Sequence, residues 1–152
     1  MAGGVDLVQF ASDPAFAIDE DTCVVGWNDG AENLLGYSAD EAIGRHCYEV
    51  LEAVFASGEL LCTPFCEGAA CFKGSRPFAV PACRLRCKDG RWVTATIASL
   101  VMPRGADGRL ADQAVTIVFV RENAAVATCS SGPAFSFPWH SMPGTAPMVN
   151  MA

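Results

Sequence analysis

Basic residues are scarce in this chain. Ten Lys and Arg stand against seventeen Asp and Glu, for a formal net charge of -7 and a sequence pI near 4.6. Such a surface repels phosphate backbones, which argues against direct nucleic-acid binding by this segment. Arg84, Arg86 and Lys88 alternate along one stretch and read as a solvated strand face rather than a basic patch. Histidine occurs only at positions 46 and 140. No window approaches the ~18 consecutive apolar residues that a membrane span requires. The N-terminal stretch MAGGVDLVQFASD has no basic region and no long apolar core. A secretory leader is therefore not expected, and a cytoplasmic location is. There is no Walker loop, no Gly-x-Ser-x-Gly elbow and no His-Glu-x-x-His pair. A neighbouring Cys47–His46 nucleophile pair is disfavoured, because adjacent side chains usually point apart. The expectation is a protein that is not an enzyme.

Apolar residues and cysteine are plentiful. The apolar share is 51% of 152 residues, enough to bury one domain core and to exclude disorder of the chain as a whole. Eight cysteines are many for a chain of this size. In a reducing compartment they are thiols, and a clustered set raises metal or redox chemistry.

Phe16-Ala17-Ile18 and Val24-Val25-Gly26-Trp27 read as two strands joined by the polar Asp19 to Thr22 loop. Asp29 is the expected cap of a helix running to Leu35, with Gly36 as its left-handed stop. Ser38 and Glu41 form a capping box for a second short helix, closed by Gly44. Cys47 to Phe55 suggests a further helical turn or two. Residues 56–80 carry no readable pattern. Pro81 to Cys87, Arg91 to Met102 and Ala111 to Arg121 read as three strands, the first two joined at Lys88-Asp89-Gly90. Two strands, short helices, then three strands fit an antiparallel sheet with helices on one face, an α+β domain. The expected divisions are residues 1–12 as an N-terminal cap or dimerisation segment, 13–122 as the domain, and 123–152 as a mostly disordered tail. In that tail Phe135, Phe137 and Trp139 are candidates for docking back.

Trp27-Asn28, Leu34-Leu35-Gly36-Tyr37-Ser38, Glu41-Ala42-Ile43-Gly44-Arg45 and Lys88-Asp89-Gly90-Arg91-Trp92-Val93, in that order and spacing, resemble PAS sensor domains over roughly residues 10–122. The resemblance implies a five-stranded antiparallel sheet in the order 2-1-5-4-3, with a ligand pocket between sheet and helices. Fold alone does not fix the ligand. Val25, Leu34, Leu35, Cys47, Val50, Leu51, Leu85, Ile97, Ile117 and Phe119 are the candidate pocket residues. Each also serves as ordinary core.

Among cofactors a metal ion or iron–sulfur cluster ranks first. Cys62, Cys66 and Cys71 fall within ten residues, Cys47 lies upstream, and thiolates suit soft metals. Their spacing departs from the tight C-x2-C knuckle. Cys83 and Cys87 share a strand face with Leu85 and either complete a site or fill the core. Haem ranks lower, with two histidines to hold it. Flavin ranks last. Gly44-Arg45-His46-Cys47 resembles the start of the light-sensing LOV motif Gly-x-Asn-Cys-Arg-Phe-Leu-Gln, but only its glycine and cysteine survive here. The paired asparagines of that subgroup are not evident between Arg91 and Val101.

The resulting expectation is a sensor or interaction domain in signal transduction or transcription regulation, binding a small ligand or a partner protein. A thiol- or metal-sensing module is the alternative, and a purely structural dimerisation domain the third. No output module is visible, so the chain reads as a fragment of a larger regulator or a stand-alone partner of one. A homodimer through Val5, Leu7, Val8 and Phe10, or a signalling partner protein, is the expected association.

Overall fold

The computed structural model describes residues 2–123. The expectations for the tail, including Phe135, Phe137 and Trp139, lie outside the described residues. The chain opens with the short helix α1 (Gly4–Leu7) and a 3-10 turn (Val8–Phe10). Strands β1 (Ala15–Ile18) and β2 (Val24–Trp27) form a hairpin. Helices α2 (Asp29–Leu35), α3 (Ala39–Ala42) and α4 (Cys47–Leu51) follow. Strand β3 (Val54–Phe55), helix α5 (Glu67–Lys73) and strands β4 (Val80–Arg86), β5 (Trp92–Val101) and β6 (Thr116–Glu122) complete the order.

The strands form one antiparallel sheet in the order β2-β1-β6-β5-β4-β3. With β3 set aside, this is the expected 2-1-5-4-3 arrangement. The sixth strand is a two-residue edge piece. Val54 pairs with Arg84 and Phe55 with Cys83, where a helical continuation was expected after Leu51. Glu52, at φ 43, ends α4 with a left-handed residue. The chain is thereby turned onto the sheet edge.

Local chemistry explains the helices. Asn28, not Asp29, caps α2: its Oδ1 accepts from the Ala31 amide at 2.9 Å. Gly36 stops that helix at φ 87, a conformation glycine adopts without steric cost. The Ser38–Glu41 capping box forms in both directions. Helix α5 was not readable, because its cap is Cys66, whose sulfur accepts from the Ala69 amide at 3.3 Å. Cysteine is not among the usual N-cap residues.

Apolar side chains cover both faces of the sheet. On the inner face, Phe16, Ile18, Val24, Trp27, Leu85, Ile97, Val118 and Val120 of the sheet share one core with Leu35 of α2 and Val50 and Leu51 of α4. On the outer face, Val8, Ala15, Ala17, Met102, Ala114 and Ile117 form a second, smaller cluster. The N-terminal segment covers that second face. Val8 is fully buried there and Val5 packs beside it. The Val5 amide donates to Asp112 at 2.9 Å. Close approach is possible because residue 26 is glycine: a Cβ there would meet Val8 Cγ1 at 3.2 Å. The expected use of Val5 and Val8 against a second copy is therefore corrected, since the chain's own sheet occupies them. Leu7 and Phe10 remain exposed.

Asn28 joins these parts. Its Oδ1 also accepts from the Ala15 amide at 3.0 Å, and its Nδ2 donates to the carbonyls of Val8 (3.1 Å) and Asp13 (3.0 Å). The residue is buried. Removing it strands several buried backbone groups, each costing about 1–3 kcal/mol when unsatisfied. Asn28→Ala is expected to destabilise the domain by about 2–4 kcal/mol after partial rehydration, read from urea unfolding. A loss under about 1 kcal/mol, the size of a simple cap deletion, would contradict this central role.

Candidate functional site

Strands β1, β5 and β6 and helices α4 and α5 enclose a small cavity. Phe16, Cys47, Leu51, Leu61, Cys62, Cys66, Gly68, Phe72, Phe78, Ile97 and Val118 line it. Its volume is about 40 Å³, and its accessible lining carries no polar surface. Phe72 and Phe78 meet edge to face at 6.3 Å and narrow it. Gly68 lets α5 approach, because a Cβ there would meet the Phe78 ring at 3.0 Å.

The candidate pocket residues divide into three groups. Cys47, Leu51 and Ile97 line the cavity. Leu35, Val50 and Leu85 are buried in the core around it, and Leu34 packs against that core half-buried. Val25, Ile117 and Phe119 lie on the other side of the sheet, with the Val8 cluster. That placement corrects the expectation for those three. β6 is apolar on both faces, so alternation alone sets no phase; Val118 and Val120 point inward and Ile117 and Phe119 outward. Phe16, Leu61, Phe72, Phe78 and Val118 were missed. Leu61, Phe72 and Phe78 lie within the unreadable 56–80 stretch, and Val118 on a strand whose facing was ambiguous.

The cysteine set is partly brought together. Cys47, Cys62 and Cys66 share the cavity wall, while Cys71 is absent from its lining. Among the described residues no group of three His, Cys, Asp or Glu side chains is arranged to hold a metal ion. Part of the reason is local: the Cys66 sulfur caps α5. Cys83 donates to the Ala95 carbonyl at 3.4 Å and Cys87 to the Leu34 carbonyl at 3.3 Å, so both serve the core.

Burial governs the thiols. It pushes Cys47 up to about 12, aided by the neighbouring Cys62 and Cys66 and opposed by a hydrogen bond from Thr22. Burial also raises Cys62 to about 12 and Cys83 to about 11. These groups are neutral thiols at physiological pH, small apolar residues rather than nucleophiles.

His46 faces away from the cavity. Its Nδ1 lies 3.6 Å from Cys23 Sγ, 3.4 Å from Thr22 Oγ1 and 3.1 Å from the Asp21 carbonyl. The sulfur beside the imidazole is thus Cys23, not the sequence neighbour Cys47. Cys23 is raised by burial and then by Asp19, Asp21 and Glu49. An acidic rim disfavours its thiolate, the opposite of what an activated cysteine requires.

The model of the PAS fold matches residues 4–97. The chain belongs to the PAS family. Over 41 residues it is 44% identical to phytochrome B of Oryza sativa subsp. indica, and equally to that of Sorghum bicolor. The match covers 27% of this PAS chain and 4% of either phytochrome, so the chain spans only a small part of those relatives. Among solved structures, a light-oxygen-voltage domain studied with a flavin analogue superposes with a TM-score of 0.58 at 16% identity, over 83% of this chain and 88% of that one. The PAS domain of nitrogen regulation protein NR(II) from Vibrio parahaemolyticus superposes with a TM-score of 0.54 at 13% identity, over 81% of this chain and all of that one. These likenesses show the fold. PAS domains are sensory modules found in signalling proteins and photoreceptors.

At the size it has in this structure, the PAS cavity is too small for flavin or haem. Ligand pockets for such groups run to about 300–1,000 Å³ with a few placed polar groups. This one is about 40 Å³ and wholly apolar. His46, the one histidine among the described residues, lies outside its lining.

The raised thiols also predict a pH response. A folded-state value above the ordinary 9.0 means the folded domain keeps protons that the unfolded chain releases. Stability from these groups is full below pH 9.0 and is lost as pH rises toward about 12. Urea midpoints are expected to fall with pH above about 9, and to fall less steeply in Cys47→Ala than in wild type. Equal slopes would show that Cys47 is not buried as described.

Proposed function

We propose that this PAS domain is a non-catalytic input module of a signalling or transcription-regulating protein, acting in the cytoplasm. Its input is a small apolar ligand taken up beside Cys47, Leu51 and Leu61. The observation that carries this reading is the apolar cavity between the sheet and α4–α5, at the position where the family places its ligands. The size of the cavity limits the ligand to a few heavy atoms unless α5 moves outward. The chemistry around Cys23 and His46 supports a non-catalytic role, because its thiol is held protonated. Leu7 and Phe10 are the large apolar side chains of the N-terminal segment still exposed for a homodimer contact.

Xenon gas is a suitable probe, since dry apolar cavities bind it. Under xenon pressure, saturable NMR shifts are expected for the methyl groups of Leu51, Leu61 and Ile97, and they should vanish in Leu61→Trp. Shifts spread evenly over the core, or unaltered by Leu61→Trp, would sink the reading.

A second reading is favoured by the shared wall of Cys47, Cys62 and Cys66. In it the thiols themselves sense an oxidant or a soft metal. Anaerobic purification with a UV–visible spectrum and elemental analysis separates the two. Stoichiometric metal or visible absorption lost in Cys66→Ala would favour the second reading, and a colourless, metal-free folded protein the first.

A further inference from the structure

The outer face of β4 and β5 carries two guanidinium groups over one indole ring. Trp92 is 44% exposed at the start of β5. The Arg84 guanidinium carbon lies 5.5 Å from its ring centroid, and that of Arg86 lies 5.9 Å away. Cross-strand register sets this stack, because Arg86 pairs with Trp92 and Arg84 with Thr94. Both arginines are exposed. Among the described residues Lys88, Arg91, Arg104, Arg109 and Arg121 each face a carboxylate. Arg84 and Arg86, like Arg45, Lys73 and Arg76, have no ion pair and no side-chain hydrogen bond among those residues; they differ in that two guanidinium groups share one exposed ring, in a chain whose net charge is -7.

We propose that Arg84, Trp92 and Arg86 form a docking surface for an acidic polypeptide segment of a partner protein. The aromatic ring restrains both guanidinium groups, so less rotamer entropy is lost when their donors engage a carboxylate. Arg and Trp are the side chains that most often dominate binding energy at interfaces. Residues two apart on a strand are separated by about 6.6 Å. Acidic side chains at i and i+4 of a helix, about 5–6 Å apart, match that separation, as do alternate residues of an extended segment. Nucleic acid is the weaker occupant. It demands many phosphate contacts, and the chain's net charge of -7 repels its backbone. An acidic peptide needs only the local pair, since distant charges are screened beyond about 8 Å at physiological salt. This inference does not rest on the cavity, and its failure leaves the cavity reading intact.

The test uses the full chain and synthetic probes. Three peptides are titrated: a leucine-containing helix with glutamates at i and i+4, an extended peptide with alternate glutamates, and the helix with lysine in place of glutamate. A single-stranded oligouridylate is the fourth probe. The readouts are the Trp92 indole and the Arg84 and Arg86 Nε resonances, with Trp92 assigned through Trp92→Phe. The expected result is saturable shifts with at least one glutamate peptide and none with the lysine peptide. Kd should rise at least tenfold in Arg84→Ala/Arg86→Ala and rise with added salt. Arg84→Lys/Arg86→Lys keeps the charge but loses the planar stack, so an intermediate Kd is expected. It also serves as the variant of record if the alanine pair disturbs the backbone spectrum. No shift with either glutamate peptide, equal shifts with the lysine peptide, or unchanged affinity in the variants would overturn the proposal. So would tighter binding of the oligouridylate, or Trp92 shifts that follow protein concentration alone, which would make the occupant a second copy.

Discussion

Asn28 is the joint on which the arrangement depends. One buried amide closes the cap of α2, holds the start of β1 and receives the chain at Val8 and Asp13. A carboxylate in its place would offer the acceptors but not the two donors. The connection has a consequence for the far side of the sheet. Because Val8 is tied to Asn28, the N-terminal segment lies over β1, β2 and β6 and closes the outer cluster. With the β2-β1-β6 part of the outer face covered by the N-terminus, the helices pack on the other face, and the cavity forms between them and the sheet.

That cavity is small for reasons visible in its walls. Phe72 and Phe78 fill the space that a bulky ligand would need, and Gly68 draws α5 in close. Two of its thiols, Cys47 and Cys62, lie in surroundings that disfavour a charge. Burial dominates their shifts, and proximity to one another adds to it. A thiol in such surroundings is chemically quiet, so it shapes and dries the cavity in its reduced state. The same burial that makes the site apolar thus makes Cys47 and Cys62 poor nucleophiles. Binding and covalent reactivity pull in opposite directions here.

The legible parts of the sequence were those where one residue type has one structural use. Gly36 had to stop a helix, and Ser38 with Glu41 had to start one; both did so. The strand order followed from the PAS resemblance, and the structure added only the short edge strand β3. Less legible were places where one pattern serves two arrangements. β6 reads Thr-Ile-Val-Phe-Val-Arg-Glu, apolar on both faces, so Ile117 and Phe119 looked as suitable for the pocket as Val118. Only the position of the N-terminal segment decides between them. Helix α5 was hidden because a sulfur caps it and because Gly, Pro and Cys crowd its approach. The cysteine spacing was visible, but the facing of Cys71 and the capping role of Cys66 belong to the folded chain.

Strand β4 unites the two surfaces. Its residues alternate between Cys83 and Leu85, buried in the core around the cavity, and Arg84 and Arg86, exposed on the far side. A bulge between Val80 and Cys83 sets this phase, and Pro81, which lacks an amide to donate, sits within it. Had the register slipped by one residue, the arginines would face the core and the thiols the solvent. The distance from core to outer face is therefore the thickness of one strand. Any coupling between an occupant of the cavity and a segment held by Arg84, Trp92 and Arg86 must be reciprocal, since each would change the affinity of the other by the same factor. The shortest physical route for it is the backbone of β4 and its paired strand β5, which carry both sets of side chains.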